Sequence, residues 1–475
     1  MMENVLKILI LHDYFLYKGG GERLVISLAK NLGADVATAF IAKDAFDPRE
    51  HGIRTIELYK EKAWSRVPGF RYLQVQSSFL FKTGFVKNYD VVIYSGDCLT
   101  AALRTGVLSS RARLAPTRDL CPSVSEPEIL RSAQNDSKKS ERRPVNIAYM
   151  HTPPRHLYDL YDERLRSYPW WKKIIFVPFV LFNRWRFLAL ARMMDRIVTN
   201  SKNTQARIKK YLGLDSIVVY PPCDTLPFKN LRHSERGLAA DEESLSVSST
   251  SETEIPPAVG MTSVGDYFFS WARLYDVKRV HLIAEAFAKM PDKKVVIASQ
   301  GPEFERIKKI VEGHSNITLL GWIDDQQLLE YLGKSLATIY IPMAEDFGMT
   351  AVESMQAGKP VIGVAEGGLL EIIEDNKNGL MLKPDFTVDD LRLKILEMTP
   401  ERVRVMEAAC YETAKKFSEA AFVEGMREVI EKYQIPNTKA VDSFYFNNAV
   451  NFSRTFFNFG LITAMQYAWS GFLAK

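Results

Sequence analysis

The sequence predicts two doubly wound α/β domains, each built on a parallel sheet, and three observations predict it. Short apolar runs alternate with stretches of helical periodicity, the pattern of βαβ units. The alternation breaks and then restarts near Phe268. Its chemically useful side chains stand just after the apolar runs, where such folds place their ligand sites. At roughly 100–200 residues per domain, 475 residues suit two or three domains.

The first domain opens on Val5–Leu11, an apolar run that reads as a buried parallel strand ending at His12-Asp13. Gly19-Gly20-Gly21 then leads into Glu22–Leu32, whose apolar positions 24, 25, 28, 29 and 32 have helical spacing. Further strands are expected at Val91–Tyr94, Asn146–Tyr149, Arg196–Thr199 and Ser216–Val219. In the second domain strands are expected at Phe268–Trp271, Lys294–Ala298, Ile317–Leu319, Ala337–Tyr340, Pro360–Gly363 and Leu380–Leu382. Helices are expected between them at His281–Lys289, Glu303–Val311, Asp325–Gly333 and Thr350–Ala357. The resulting domains are 1–222 and 266–418, followed by a closing helix over 419–434.

Two stretches interrupt this order. Residues 109–144 and 230–265 are rich in Ser, Arg, Glu, Asp and Pro, so they bury too little apolar surface to offset chain entropy. They are expected to be mobile insertions, the second lying in the 223–265 linker. The 435–475 tail is aromatic and poor in charge, suiting docking on the protein body or an interfacial anchor.

Composition narrows the function. Apolar residues make up 47% and charged residues 25%, as in an ordinary globular protein. The 62 Lys and Arg against 57 Asp and Glu leave a net charge of +5, too small for wholesale nucleic-acid binding. Four cysteines without a CxxC pair exclude a disulfide framework or a cysteine-rich zinc module. The N-terminus lacks a basic signal-peptide region, and no uncharged apolar run reaches ~18 residues, so a cytoplasmic location is expected.

Four groups of residues can carry chemistry. Gly19 and Gly20 lie between a strand and a helix, where the backbone can approach a ligand and helix N–H groups face it. No glycine stands at the third GxGxxG position, which argues against a nicotinamide dehydrogenase. Arg273 and Lys278 follow the strand that opens the second domain and suit a diphosphate, the guanidinium as a fork and the ammonium as a point charge. Glu345 and Glu353 stand eight apart across a strand end and the first turn of a helix. Both can face one pocket and accept hydrogen bonds from sugar or ribose hydroxyls, together with Gly367-Gly368 and Glu371 of the next loop. His151 follows a strand in the run His151-Thr152-Pro153-Pro154-Arg155, and His156 lies too awkwardly beyond the prolines for a shared metal.

From about Lys7 to Tyr433, outside the two insertions, the chain resembles retaining glycosyltransferase family 4, enzymes of the GT-B fold with two Rossmann-like domains facing across a donor cleft, which implies an acceptor domain over 1–222 and a nucleotide-sugar domain over 266–418. It looks most like a branch with an H-T-P-P-R stretch, several members of which transfer mannose from GDP-mannose. The resemblance implies that Glu345 contacts the donor sugar and Glu353 the ribose, while Arg273 and Lys278 hold the diphosphate. It also implies that Phe347, Gly348, Met349, Thr350, Gly367, Gly368 and Leu369 bind the donor through backbone N–H groups. Gly19 and Gly20 match a loop that closes on the donor, His151 a histidine near the reacting sugar, and Ile323 a contact to the base. Ala272 and Leu370 depart from the usual Gly and Pro, and Ser299-Gln300-Gly301-Pro302 lacks an earlier glycine.

The expected activity is thus metal-independent, with no cofactor beyond a nucleotide-sugar co-substrate, and with a lipid-linked or glycan acceptor in surface-polysaccharide synthesis. A UDP-sugar donor, a sugar-nucleotide epimerase and a catalytically idle sugar-nucleotide-binding scaffold are the alternatives. Residues 151–192 carry eight Lys or Arg against three acids, interleaved with Trp170-Trp171 and other apolar residues. With the 444–473 tail they could hold the protein at an anionic membrane, at the inner face of the plasma membrane.

Overall fold

The computed structural model describes residues 6–16, 19–43, 45–61, 68–105, 143–223 and 265–432. Most of both expected insertions and the 435–475 tail lie outside the described residues. The chain divides into two compact units, one of residues 1–199, 207–218 and 425–475, the other of residues 200–206 and 219–424.

The first unit holds a seven-stranded parallel sheet. Its strands are β1 (Ile8–His12), β2 (Asp35–Thr38), β3 (Thr55–Glu57), β4 (Val91–Ser95), β5 (Val145–Met150), β6 (Arg196–Thr199) and β7 (Ile217–Val218). The order β3-β2-β1-β4-β5-β6-β7 steps outward in one direction from β1 and in the other from β4. Every residue of β1, β4 and β5 is buried, which is why these strands read as unbroken apolar runs. The β1 and β4 strands pair in register from Ile8 opposite Val91 to His12 opposite Ser95. Leu9, Leu11, Val92, Tyr94 and Ala148 present one face of this sheet to a core completed by Phe79, Phe187 and Ile208.

The helix Gly20–Leu32 buries Leu24, Val25, Leu28 and Ala29 and ends on Gly33, whose φ of 61° closes the last turn at no steric cost. A 22-residue helix, Trp170–Ala191, carries two apolar faces. Phe176, Val180, Phe187 and Leu190 are buried in the unit. Trp170, Trp171, Ile174 and Leu181 are exposed, Trp170 by 74% and Ile174 by 63%. By length and composition this helix could cross a membrane, yet one of its faces packs on protein.

The second unit holds β8 (Tyr267–Ser270), β9 (Lys294–Ala298), β10 (Ile317–Gly321), β11 (Ala337–Tyr340), β12 (Val361–Val364) and β13 (Gly379–Leu382). All six pair in parallel in the order β10-β9-β8-β11-β12-β13, so the direction of winding changes between β8 and β11. Phe268, Val295, Ile297, Ile339 and Ile362 lie in the main core with Phe287, Met355 and Phe417.

Every expected strand is present, within a residue or two at its ends, except that the first begins at Ile8 and not at Val5, which lies outside the described residues. The strands β2 and β3 were not expected, being four and three residues long, with β3 at the sheet's edge and β2 next to it.

Candidate active site

In the second unit the loops after β8 and β11 meet at the point where the winding reverses, the position at which open parallel sheets bind ligands. The 3₁₀ turn Asp276–Lys278 follows β8, and its Lys278 Nζ stands 2.5 Å from Glu345 Oε2. Nζ also donates to the Tyr340 hydroxyl at 3.0 Å, and that hydroxyl donates to Glu345 Oε2 at 2.9 Å. Tyr340 is the last residue of β11 and is buried. Burial and the Glu345 carboxylate push its phenol well above 10, so it remains a proton donor. Tyr340 joins the site as a residue the sequence reading missed. Its signal was its place at a strand end, five residues before Glu345.

Glu353 belongs to the first turns of the helix Met349–Gln356 and is only 9% exposed. That helix starts at Gly348, whose φ of 111° disfavours other residues and which offers no side chain to cap the first-turn N–H groups. These N–H groups and the positive end of the dipole suit an anion. The side chain of Phe347 is buried against Tyr220 and Phe417, so it is the backbone here that can meet a ligand. Met349 and Thr350 open the helix.

The next loop is built to lie close. Gly367 has φ 64°, and a Cβ there would fall 2.3 Å from the Glu345 carbonyl oxygen. The Gly368 N–H donates to that same oxygen at 2.8 Å. Leu369 is fully buried beneath Gly348. Glu366 accepts from the Ala344 N–H at 2.9 Å and lies 3.5 Å from Arg279, which tie the loop down. Neither was anticipated.

One expectation is corrected. Glu371 was grouped with the ligand-facing residues, but its carboxylate accepts from the N–H groups of Lys202 and Asn203, each at 2.8 Å, and from the Tyr220 hydroxyl at 3.0 Å. It caps the helix Lys202–Leu212. Arg273 is exposed in the loop after β8, and Ile323 packs on a small cluster with Tyr267 and Phe269. Asp276, His281 and Glu303 bring ligand-type atoms within 4.8 Å of one another. Arg306 already bridges the two acids, at 3.6 and 2.9 Å.

The remaining expected residues belong to the first unit. Gly19 caps the helix that begins at Gly20. His151 follows β5 directly, its Nε2 sharing a 2.9 Å hydrogen bond with Ser95 Oγ at the end of β4. Desolvation lowers its imidazole to about 4, so the ring is neutral. Arg207 secures the loop by donating to Thr152 Oγ1 at 2.8 Å and to Asp159 at 2.9 Å, while Arg155 donates to the same Asp159 oxygen at 3.0 Å. A cavity of about 250 Å³ opens beside His151, lined also by Asp13, Tyr94, Asp97, Tyr149 and His156.

Comparison with known proteins bears on both units. Residues 252–422 match the family described as Glycosyl transferases group 1. An uncharacterized glycosyltransferase of Methanocaldococcus jannaschii is 32% identical over 174 residues, 35% of this chain and 49% of the relative. Human alpha-1,3/1,6-mannosyltransferase ALG2 is 29% identical over 161 residues, 33% of this chain and 38% of the relative. The trehalose synthase of Thermococcus litoralis is 26% identical over 263 residues, 52% and 60%. The chain thus spans less than two thirds of the length of these relatives. Among solved structures, Anabaena HepE in complex with UDP and glucose superposes with a TM-score of 0.58 at 17% identity, covering 90% of this chain and 99% of that one. The lipopolysaccharide outer core galactosyltransferase WaaB gives 0.55 at 15% identity, covering 90% and 99%. The fold is GT-B, and the match to the group 1 glycosyl transferases is confined to residues 252–422.

Proposed function

We propose that the protein is a hexosyltransferase that moves a sugar from a nucleotide donor to a lipid-linked or glycan acceptor, with retention and without a metal. The observation that carries this reading is the Lys278–Glu345–Tyr340 cluster at the switch point of the second sheet, with Glu353 on the helix that follows. Cleaving a sugar–diphosphate bond builds negative charge on the leaving phosphate. Arg273, Lys278 and the N–H groups after Gly348 are the groups that stabilise it, a contribution of ~3–4 kcal/mol for each such donor. In the resting protein Glu345 neutralises Lys278. An arriving diphosphate competes for the ammonium, which leaves Glu345 to accept hydrogen bonds from sugar hydroxyls, while Glu353 serves the ribose. Ile323 and the Gly367–Leu369 backbone complete the donor site.

The similarity to ALG2 and the His151–Arg155 stretch support mannose from GDP-mannose. The HepE structure, which holds UDP and glucose, supports a UDP-sugar as the second reading. Melting the protein with GDP, UDP, ADP, GDP-mannose, UDP-glucose and NAD separates them. A ligand at a hundred times its Kd adds ~2.7 kcal/mol to folded stability. Slow donor hydrolysis distinguishes an enzyme from an idle scaffold, which would bind donor and turn over none.

The exposed face of Trp170–Ala191 supports a peripheral position on an anionic membrane. Trp170, Trp171, Ile174 and Leu181 are suited to the acyl boundary, and Lys172 and Lys173 to the headgroups.

A further inference from the structure

Three ligand-type side chains gather at another place in the second unit, on the segments that follow β8 and β9. Asp276 opens the 3₁₀ turn Asp276–Lys278, His281 lies in the first turn of the helix Val280–Ala288, and Glu303 stands at the N-cap of the helix Phe304–Val311. One ligand atom from each falls within 4.8 Å of the other two.

The backbone holds these carriers together. The Glu303 N–H donates to the Leu274 carbonyl at 2.9 Å, and the Leu274 N–H donates to the Gln300 carbonyl at 3.1 Å. Gly301 lets the two loops touch, since a Cβ there would fall 2.4 Å from the Leu274 carbonyl oxygen.

His281 is the telling member. It is only 9% exposed, and its buried Nδ1 has no hydrogen-bond partner among the described residues. Buried polar atoms are paired as a rule, so a bare imidazole beside two carboxylates asks for a cation.

The charges agree. Asp276 and Glu303 carry two negative charges, and Arg306 sets one positive charge between them, at 3.6 Å and 2.9 Å. The Arg306 side chain is 51% exposed, so it can turn out into solvent for the loss of two weak surface ion pairs. A divalent ion in its place balances both carboxylates and also pairs the imidazole that Arg306 leaves bare. One nitrogen and two oxygens suit zinc and related transition ions, whereas magnesium and calcium prefer oxygen alone. Bonds of ~2.0–2.2 Å set tetrahedral ligand atoms ~3.4 Å apart, so the group draws in slightly on filling. Asp276, 73% exposed, is free to make that movement.

We propose that Asp276, His281 and Glu303 bind one divalent transition ion of the zinc class, with Arg306 as the stand-in charge when the ion is absent. The bound ion ties the loop after β8 to the loop after β9. Lys278 closes the same 3₁₀ turn that Asp276 opens, so the ion also steadies the backbone that carries its ammonium. Neither Glu345 nor Glu353 belongs to the group, and the ion is given no step in sugar transfer. The site therefore stands or falls independently of the transferase reading.

The test uses the full chain, stripped of metal and titrated with zinc chloride against a chromophoric chelator, with cobalt chloride as the spectroscopic probe. One zinc per chain is expected to bind, and zinc is expected to raise the melting temperature where magnesium at the same concentration does not. The chain has seven histidines, so variants decide the place. His281→Gln and Glu303→Gln are each expected to weaken zinc binding at least tenfold, and His281→Gln to abolish the cobalt visible band. Glu303 lies at the surface of the loop and covers the case in which His281→Gln fails to fold. Arg306→Ala is expected to tighten zinc binding severalfold, because the competing cation is gone. Zinc held equally by the wild type and the ligand variants, or not held by the wild type at all, would overturn the proposal. Magnesium stabilising as well as zinc would overturn the class of ion, and unchanged or weaker binding in Arg306→Ala would overturn the exchange.

Discussion

Lys278 and Glu345, 67 residues apart in the chain, form a 2.5 Å ion pair that Tyr340 braces from both sides. The pair joins the two loops that flank the switch point of the second sheet. On the proposed function, it keeps the Lys278 ammonium aimed before a diphosphate arrives. With 24% and 19% of the two side chains exposed, the pair is open to displacement.

Removing either cation should tell on the chemical step. Lys278→Ala and Arg273→Ala are each expected to slow donor turnover by about tenfold or more, since tenfold corresponds to only ~1.4 kcal/mol of barrier. Steady-state donor hydrolysis checks this, and a near-normal rate in either variant would remove that residue from the leaving-group site. Tyr340→Phe keeps the ring but loses both hydrogen bonds, so it should weaken turnover less than Lys278→Ala does.

Gly367→Ala should damage the site through the backbone. The left-handed φ costs a residue with Cβ roughly 1–2 kcal/mol, and the added methyl meets the Glu345 carbonyl at 2.3 Å. The expected result is a lower melting temperature together with loss of the donor-induced shift. Gly21→Ala, where nothing lies within 4 Å of the added carbon, is the control.

The pH profile should carry two opposite signatures from the first unit. The imidazole of His151 is lowered to about 4 by burial, so its contribution is present above 6.5 and is lost as pH falls toward 4. Burial and the neighbouring Asp97 raise the Asp13 carboxyl to about 7, so the folded state holds a proton the unfolded chain has lost, and stability falls as pH rises from about 4 to 7. Asp13→Asn should therefore gain on the wild type in melting temperature between pH 5 and pH 8. A constant difference across that range would show that Asp13 is not buried as described.

The membrane proposal is tested by flotation with vesicles containing anionic lipid. Wild-type protein should float, and a variant carrying Trp170→Ser, Ile174→Ser and Leu181→Ser should not, because it loses most of its exposed apolar face. Flotation equal to wild type would free this helix of the role.

Much of the fold is legible because the parallel strands are buried on both faces, so β1, β4, β5 and the strands of the second sheet stand out as apolar runs. The short strands β2 and β3 do not, since Asp35–Thr38 and Thr55–Glu57 are too short to show a period and carry polar residues. Glu345, Glu353, Arg273 and Lys278 are legible because their local spacing places them at strand ends and helix starts. Asp13 and Asp97 are not, for they meet across 84 residues only when β1 pairs with β4. Glu371 was misread for the same reason. The N–H groups that occupy it lie 168 and 169 residues away, and no local pattern announces them.

The central claim is that the second unit holds a nucleotide sugar between Lys278, Glu345 and Glu353. A thermal-shift panel on wild type and Glu353→Ala tests it most directly. A melting shift with GDP and GDP-mannose, or with UDP and UDP-glucose, that disappears in Glu353→Ala is the predicted result. A shift with NAD, and none with any sugar nucleotide, would contradict it.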